Sequence, residues 1–130
     1  HTPRSFAALR ATLQSHLPGY RPLFIAGLAR DKNPAALLRN LGGDGAKLFL
    51  TPYRSSRSLT EEEWRKFAQG RRPRPRIFPE WQQAYQEARK VLARSCAPSV
   101  ICFTGSFYLA GEVLAHNPRW AARAFSMRSR

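Results

Sequence analysis

The stretch from Ser99 to Leu114 constrains this chain more than any other, because an apolar run of strand length passes into a helix through a Gly-Ser corner. Ser99 to Phe103 (S-V-I-C-F) reads as a buried strand, and Phe107, Ala110, Val113 and Leu114 then recur at helical spacing. Between them, Gly105 permits close approach of another backbone and Ser106 is placed to cap the helix. Such a corner is expected to turn free N–H groups, and the positive end of the helix dipole, toward the space above the sheet. That suits a carboxylate or a phosphate. An ordinary strand-to-helix turn carries the same local pattern, so the corner by itself does not decide between the two.

The rest of the chain alternates in the same way. Thr2 is placed as an N-cap and Pro3 as a first helical residue, after which Phe6, Leu9, Leu13 and Leu17 form an apolar stripe ended by Pro18-Gly19. Leu23 to Leu28 (L-F-I-A-G-L) reads as a buried strand, and Asn33-Pro34 opens a second helix through Leu41. After the turn cluster Gly42-Gly43-Asp44-Gly45 comes a strand from Lys47 to Thr51, then a polar loop from Pro52 to Leu59. Thr60 and Glu63 predict a capping box for a third helix to about Ala68, which explains the acidic run Glu61 to Glu63 as helix-start chemistry. Gly70 to Arg76 (G-R-R-P-R-P-R) is a basic, proline-broken connector before a short edge strand at Ile77-Phe78. A longer helix follows from about Glu80 to Arg94, with Trp81, Ala84, Tyr85, Ala88, Val91 and Leu92 inward. Trp120, Phe125 and Met127 are candidate anchors for the Arg-rich tail. Strands that are nearly continuous apolar runs, separated by helices, predict an α/β three-layer sandwich around a parallel sheet.

At 130 residues the chain has room for one domain. No apolar run reaches membrane-spanning length and no signal sequence opens the chain, so the reading is a soluble, cytoplasmic protein. Cys96 and Cys102 have no second pair to complete a zinc site, and His1, His16 and His116 are scattered. Two reduced thiols and no structural metal are expected. The net charge of +14 attracts polyanions generally, so a nucleic-acid module has to be weighed beside nucleotide and carboxylate ligands. Gly42 to Lys47 (G-G-D-G-A-K) lacks phosphate-loop spacing and precedes a strand, and no other catalytic motif is visible.

The segment Thr104 to Leu114 closely resembles the last strand, turn and helix of the folylpolyglutamate synthase and dihydrofolate synthase family, with its G-S-x-Y-L-x-G-E-V pattern. Four further stretches follow the family's order. His1-Thr2-Pro3 resembles the end of its D-G-A-H-N-P motif, Ala26 to Lys32 (A-G-L-A-R-D-K) its strand followed by D-K-D, and Thr51 to Ser58 (T-P-Y-R-S-S-R-S) its strand end followed by R-A or R-S. Gln83 to Leu92 resembles the helix before its final strand. The resemblance implies the C-terminal domain of the Mur ligase superfamily, over residues 1–115 with a basic tail at 116–130. That domain is a Rossmann-like sandwich of six mostly parallel strands. The antiparallel strand and the strand ending in D-G-A come before the family's His, so either the numbering begins inside a longer protein or the chain was cut, and Ser99 to Thr104, which the D-G-A strand pairs with in the family's sheet order, is expected to be left as an edge.

In function, the resemblance implies part of an ATP-dependent ligase that adds L-glutamate to dihydropteroate or folate through an acyl phosphate. The P-loop and Mg²⁺ ligands belong to a preceding N-terminal ATPase domain. No catalytic residue is then expected in this chain, which should be inactive alone. Substrate or nucleotide contacts are implied at His1 and Thr2, at Asp31 and Lys32, at Arg57 and Ser58, and at Gly105 and Ser106. Thr2 stands where the family has Asn, Asn33 replaces the second Asp of D-K-D, and the Asp before the motif His is absent. Asp31 also reads as a possible N-cap, and Tyr108 is expected to pack against the neighbouring helix. An Arg at position 57 is suited to a bidentate bond with a carboxylate. The rivals are another Mur-type amino-acid ligase and a basic nucleic-acid-binding module. The second is disfavoured because the aromatics fall on inward faces rather than among the arginines.

Overall fold

In the computed structural model, which describes residues 3–42 and 47–120, the elements follow the apolar pattern closely. They are α1 (Pro3–His16), β1 (Arg21–Ala26), α2 (Pro34–Leu41), β2 (Lys47–Leu50), α3 (Glu61–Ala68), β3 (Arg76–Ile77), α4 (Trp81–Arg94), β4 (Ser99–Thr104) and α5 (Phe107–His116). His1, Thr2, residues 43–46, Phe125 and Met127 lie outside the described residues.

The four strands form one parallel sheet in the order β3-β2-β1-β4. Parallel strands require crossovers, and the helices supply them on both faces. On one face α1, α2 and α3 cover Phe24, Ala26, Leu48 and Leu50, with Phe6, Leu37, Leu41 and Trp64 at the centre of that core. On the other face α4 lays Ala84 and Ala88 against Leu23, Ile25 and Phe49, and α5 adds Leu109 and Val113 beside Tyr53 and Trp81. This is the three-layer α/β sandwich predicted from the sequence. The sheet is wholly parallel, and the antiparallel strand that the resemblance implies is not among the described residues.

Two sequence expectations need correction. β4 is half-exposed along its whole length rather than buried, because it is an edge strand with β1 as its described neighbour. In α5 the buried positions are Leu109 and Val113, whereas Phe107 is 84% exposed and Leu114 is exposed as well. An edge position leaves the helix over β4 with one narrow face to bury, so an apolar residue there is not automatically an inward one.

Local signals fixed the helix ends well. Asn33 caps α2 by accepting from the Ala36 N–H, so the cap is Asn33 and not Asp31. At α3 the capping box is complete, with Thr60 Oγ1 accepting from Glu63 N and Glu63 Oε1 accepting from Thr60 N. Substituting such a cap typically costs about 1 kcal/mol. Pro22 lies inside β1, but the pairing with β2 begins only at Leu23, so the proline is flanked by β4 alone. Trp120 packs edge-on against Tyr85 and beside Phe103, which anchors the chain just past α5. Cys96 and Cys102 are free thiols, and burial pushes the Cys102 thiol up to about 11. No described helix is long and apolar enough to cross a membrane.

Candidate functional site

The chain leaves β1 toward α2 on one face of the sheet and leaves β4 toward α5 on the other, and β1 and β4 are neighbours. The carboxyl ends of these two strands are therefore a topological switch point, the kind of place where open α/β sheets accept ligands. The residues that line its approaches are those that follow β1, β2 and β4.

The two exits touch through glycines. Gly105 has φ +94, and a Cβ built there would lie 2.2 Å from the carbonyl oxygen of Gly27, while Gly27 N donates to Thr104 O at 3.2 Å. Ser106 then caps α5 by accepting from Tyr108 N at 3.1 Å and Leu109 N at 3.5 Å. The hydroxyl is almost fully buried and turned into the helix, so it satisfies amides that the sequence reading left open to a ligand. What the corner offers outward is the positive end of α5. Tyr108 does not pack on a neighbouring helix. It is 60% exposed and stacks in parallel on Tyr53, which follows β2, with centroids 6.0 Å apart.

The segments after β1 and β2 are laced together. Leu59 N donates to Leu28 O, Arg30 N donates to Arg57 O at 2.7 Å, and Ala29 forms an antiparallel bridge with Ser58. Ser58 is buried, accepts from Tyr53 N at 3.0 Å and donates to Leu59 O at 2.9 Å, so its hydroxyl fixes the loop from within. Arg57 behaves differently. Its backbone is held at both ends, by Arg30 N and through Ser55 Oγ, but its exposed guanidinium has no partner among the described residues. Asp31 and Lys32 are exposed on the turn immediately after Arg30. The structure thus brings Asp31, Lys32, Arg57, Ser58, Gly105 and Ser106 to one end of the sheet, while His1 and Thr2 lie outside the described residues.

Two further residues hold this end together, and sequence reading assigned neither. Arg30 donates from Nη1 to Ser56 O at 2.9 Å, from Nη2 to Ser58 O at 3.3 Å, and grips Glu63 through Nε and Nη2 at 3.2 and 2.9 Å. Glu112, the acid of the G-E-V pattern, accepts from Arg54 N and so ties α5 to the loop after β2. Both sit inside quoted motifs, so motif membership was the available signal. The Arg30 hydrogen bond, and then the Thr60 amide, hold the Glu63 carboxyl at about 2, well below its ordinary value. A depressed carboxylate contributes stability above its unfolded value that is lost as pH falls through the folded one. The clamp should therefore persist below pH 4 and release toward pH 2. A carbon-detected NMR titration of Glu63 is expected to show that midpoint, and Arg30→Ala should raise it toward the ordinary range; a midpoint near 4.5 in the unaltered chain would refute the clamp.

Among the described residues no group of three His, Cys, Asp or Glu side chains is placed to hold a metal ion. No protein-family model matches the sequence, and no curated protein matches it. Solved structures do. Mycobacterium tuberculosis folylpolyglutamate synthase complexed with ADP and AMPPCP is 24% identical with a TM-score of 0.76, over 88% of this chain and 27% of that one. Escherichia coli FolC in complex with DHPP and ADP is 21% identical with a TM-score of 0.72, over 93% of this chain and 28% of that one. A bifunctional folylpolyglutamate synthase/dihydrofolate synthase with Mn, AMPPNP and L-glutamate bound is 20% identical with a TM-score of 0.70, over 89% and 27%. The chain spans about a quarter of the length of these proteins, and what it shares with that quarter is the Rossmann-like fold described above.

Proposed function

We propose that this chain is the C-terminal, glutamate-binding domain of an ATP-dependent ligase that adds L-glutamate to dihydropteroate or a folate. The observation that carries the reading is the meeting of three family-like motifs at one switch point. Ala26 to Lys32, Thr51 to Ser58 and Thr104 to Val113 leave adjacent strands at the same end and are hydrogen-bonded to one another there. In this reading the Arg57 guanidinium takes a glutamate carboxylate in a bidentate bond, and the positive end of α5 adds attraction for negative charge. Asp31 and Lys32, exposed at the rim with side chains that have no partner among the described residues, contact the nucleotide, and His1 and Thr2 contribute polar contacts to the bound ligand. Ser58, Gly105 and Ser106 shape the walls.

ATP, when bound, supplies the phosphoryl group that activates the acceptor carboxylate as an acyl phosphate. The P-loop and the Mg²⁺ ligands are assigned to the N-terminal ATPase domain of the same protein. This domain closes on that one, positions the incoming amine and keeps water from the labile intermediate. A cytoplasmic location belongs to the same reading. ADP release by the whole ligase, supplied with dihydropteroate or folate, ATP and Mg²⁺, is expected to depend on L-glutamate. Dependence on alanine or diaminopimelate instead would place the chain in another Mur-type ligase. The 130-residue chain alone is expected to release no ADP, and turnover by it would overturn the domain assignment.

A further inference from the structure

The loop from Pro52 to Leu59 is fastened along both of its flanks. Toward the exit of β1 it is held by the bonds of Leu59 N and Arg30 N, the Ala29–Ser58 bridge and the Arg30 guanidinium. Toward α5 it is held at its start, where Arg54 N donates to the Glu112 carboxylate and the Tyr53 ring stacks on Tyr108. Glu112 stands six residues past the Ser106 cap, about 9 Å along the helix axis. Among the described residues Glu61, Glu63 and Glu87 each pair with an arginine, whereas Glu112 has no Lys or Arg partner and takes a main-chain amide. In a chain with 22 Lys and Arg side chains, this carboxylate is committed to the backbone of one loop.

We infer that Glu112 is a positioning residue for the incoming amino acid: by holding Arg54 it sets the loop that carries Arg57 at a fixed distance from the positive end of α5. The inference rests on the glutamate-binding reading of this end of the sheet. Two groups that meet one carboxylate must keep their separation to within about 0.5 Å, and a long exposed arginine can be placed only through the backbone it springs from. Arg30 and Ser55 fix that backbone locally, but neither belongs to α5. Glu112 supplies the missing link. The helix it stands on is seated independently, by Leu109 and Val113 in the core and by Gly105 against Gly27, so the tie has a rigid base. A carboxylate suits the task because its charge-assisted bond to an N–H is roughly twice as strong as a neutral one.

The test compares ADP release by the whole ligase carrying Glu112→Ala, Glu112→Gln or Arg57→Ala, and follows hydrogen exchange of the Arg54 amide in the 130-residue chain. In Glu112→Ala that amide should lose its protection. The apparent glutamate constant should rise about three- to tenfold, while kcat and the ATP constant stay unchanged. Glu112→Gln keeps an acceptor and loses the charge, so its glutamate constant should lie closer to that of the unaltered ligase than to that of Glu112→Ala. Should Glu112→Ala fail to fold, Glu112→Asp, one methylene short of the Arg54 amide, gives the same comparison. A raised glutamate constant in Arg57→Ala with none in Glu112→Ala would overturn the positioning role alone. An unchanged constant in Arg57→Ala would overturn the glutamate-binding reading and this inference with it. Equal losses in the glutamate and ATP constants would make the tie merely structural, and a Glu112→Gln as damaging as Glu112→Ala would put the charge on the substrate's ammonium; either result overturns the inference.

Discussion

Gly105→Ala is expected to destabilise the chain by about 3–5 kcal/mol, whereas Gly19→Ala should cost about 1 kcal/mol. Both glycines have positive φ, +94 and +83, so both substitutions carry the strain of an unfavourable backbone conformation. The difference lies in what the new methyl meets. At Gly19 nothing stands within 4 Å, but at Gly105 the methyl falls 2.2 Å from a backbone oxygen of the neighbouring strand exit. Relief requires β4 to move away from β1, which endangers the Gly27 to Thr104 hydrogen bond and the seat of α5. For a domain of this size the expected loss corresponds to a melting temperature lower by on the order of 10–20 °C. Urea denaturation of the two variants side by side decides the matter. Equal losses would mean that the two strand exits are not held in contact, and the switch point would lose its fixed geometry.

How far such a contact is legible in sequence depends on the range of the interaction. Caps are local, so Thr60 with Glu63, Asn33-Pro34 and Ser106 announced their helices within four residues. The apolar runs at Leu23 and Lys47 announced central strands because burial on both faces removes polar alternation. The run S-V-I-C-F of β4 is equally apolar although the strand forms an edge, so its edge position is legible from the family's sheet order and not from its composition. Apolar content reports what a strand packs against through its faces and says nothing of its lateral neighbours. Site geometry is less legible still. Gly105 permits close approach on its sequence alone, but its partner Gly27 lies 78 positions away, and only the sheet order makes them meet. Arg30 and Glu63 are a long-range pair of the same kind, invisible while Glu63 is fully explained by its cap. The Gly-Ser corner is legible because it is local: Ser106 caps α5 as its position predicts, and its hydroxyl thereby takes up two of the amides that the helix start would otherwise turn outward.

In the ligase proposed here, Arg57→Ala is expected to raise the apparent constant for L-glutamate about ten- to a hundredfold, the loss of a solvent-exposed charge-assisted contact of roughly 1.5–3 kcal/mol. The constant for ATP should be nearly unchanged. Arg57 is exposed and spends no side-chain hydrogen bond on the fold, so its removal should leave the melting temperature unaltered. Arg30 separates ligand contact from positioning. Its guanidinium faces Glu63 and two loop carbonyls, and its amide holds the Arg57 carbonyl, so it acts on glutamate only through the place it gives Arg57. Arg30→Ala should therefore raise the glutamate constant less than Arg57→Ala does. Arg30→Lys should not restore it, because an ammonium cannot span the carboxylate and both carbonyls as a fork does. The double variant should be no worse than Arg57→Ala alone, since a displaced arginine and an absent one are equivalent to the ligand. Additive losses would put Arg30 in direct contact with substrate, and an unchanged glutamate constant in Arg57→Ala would remove Arg57 from the site.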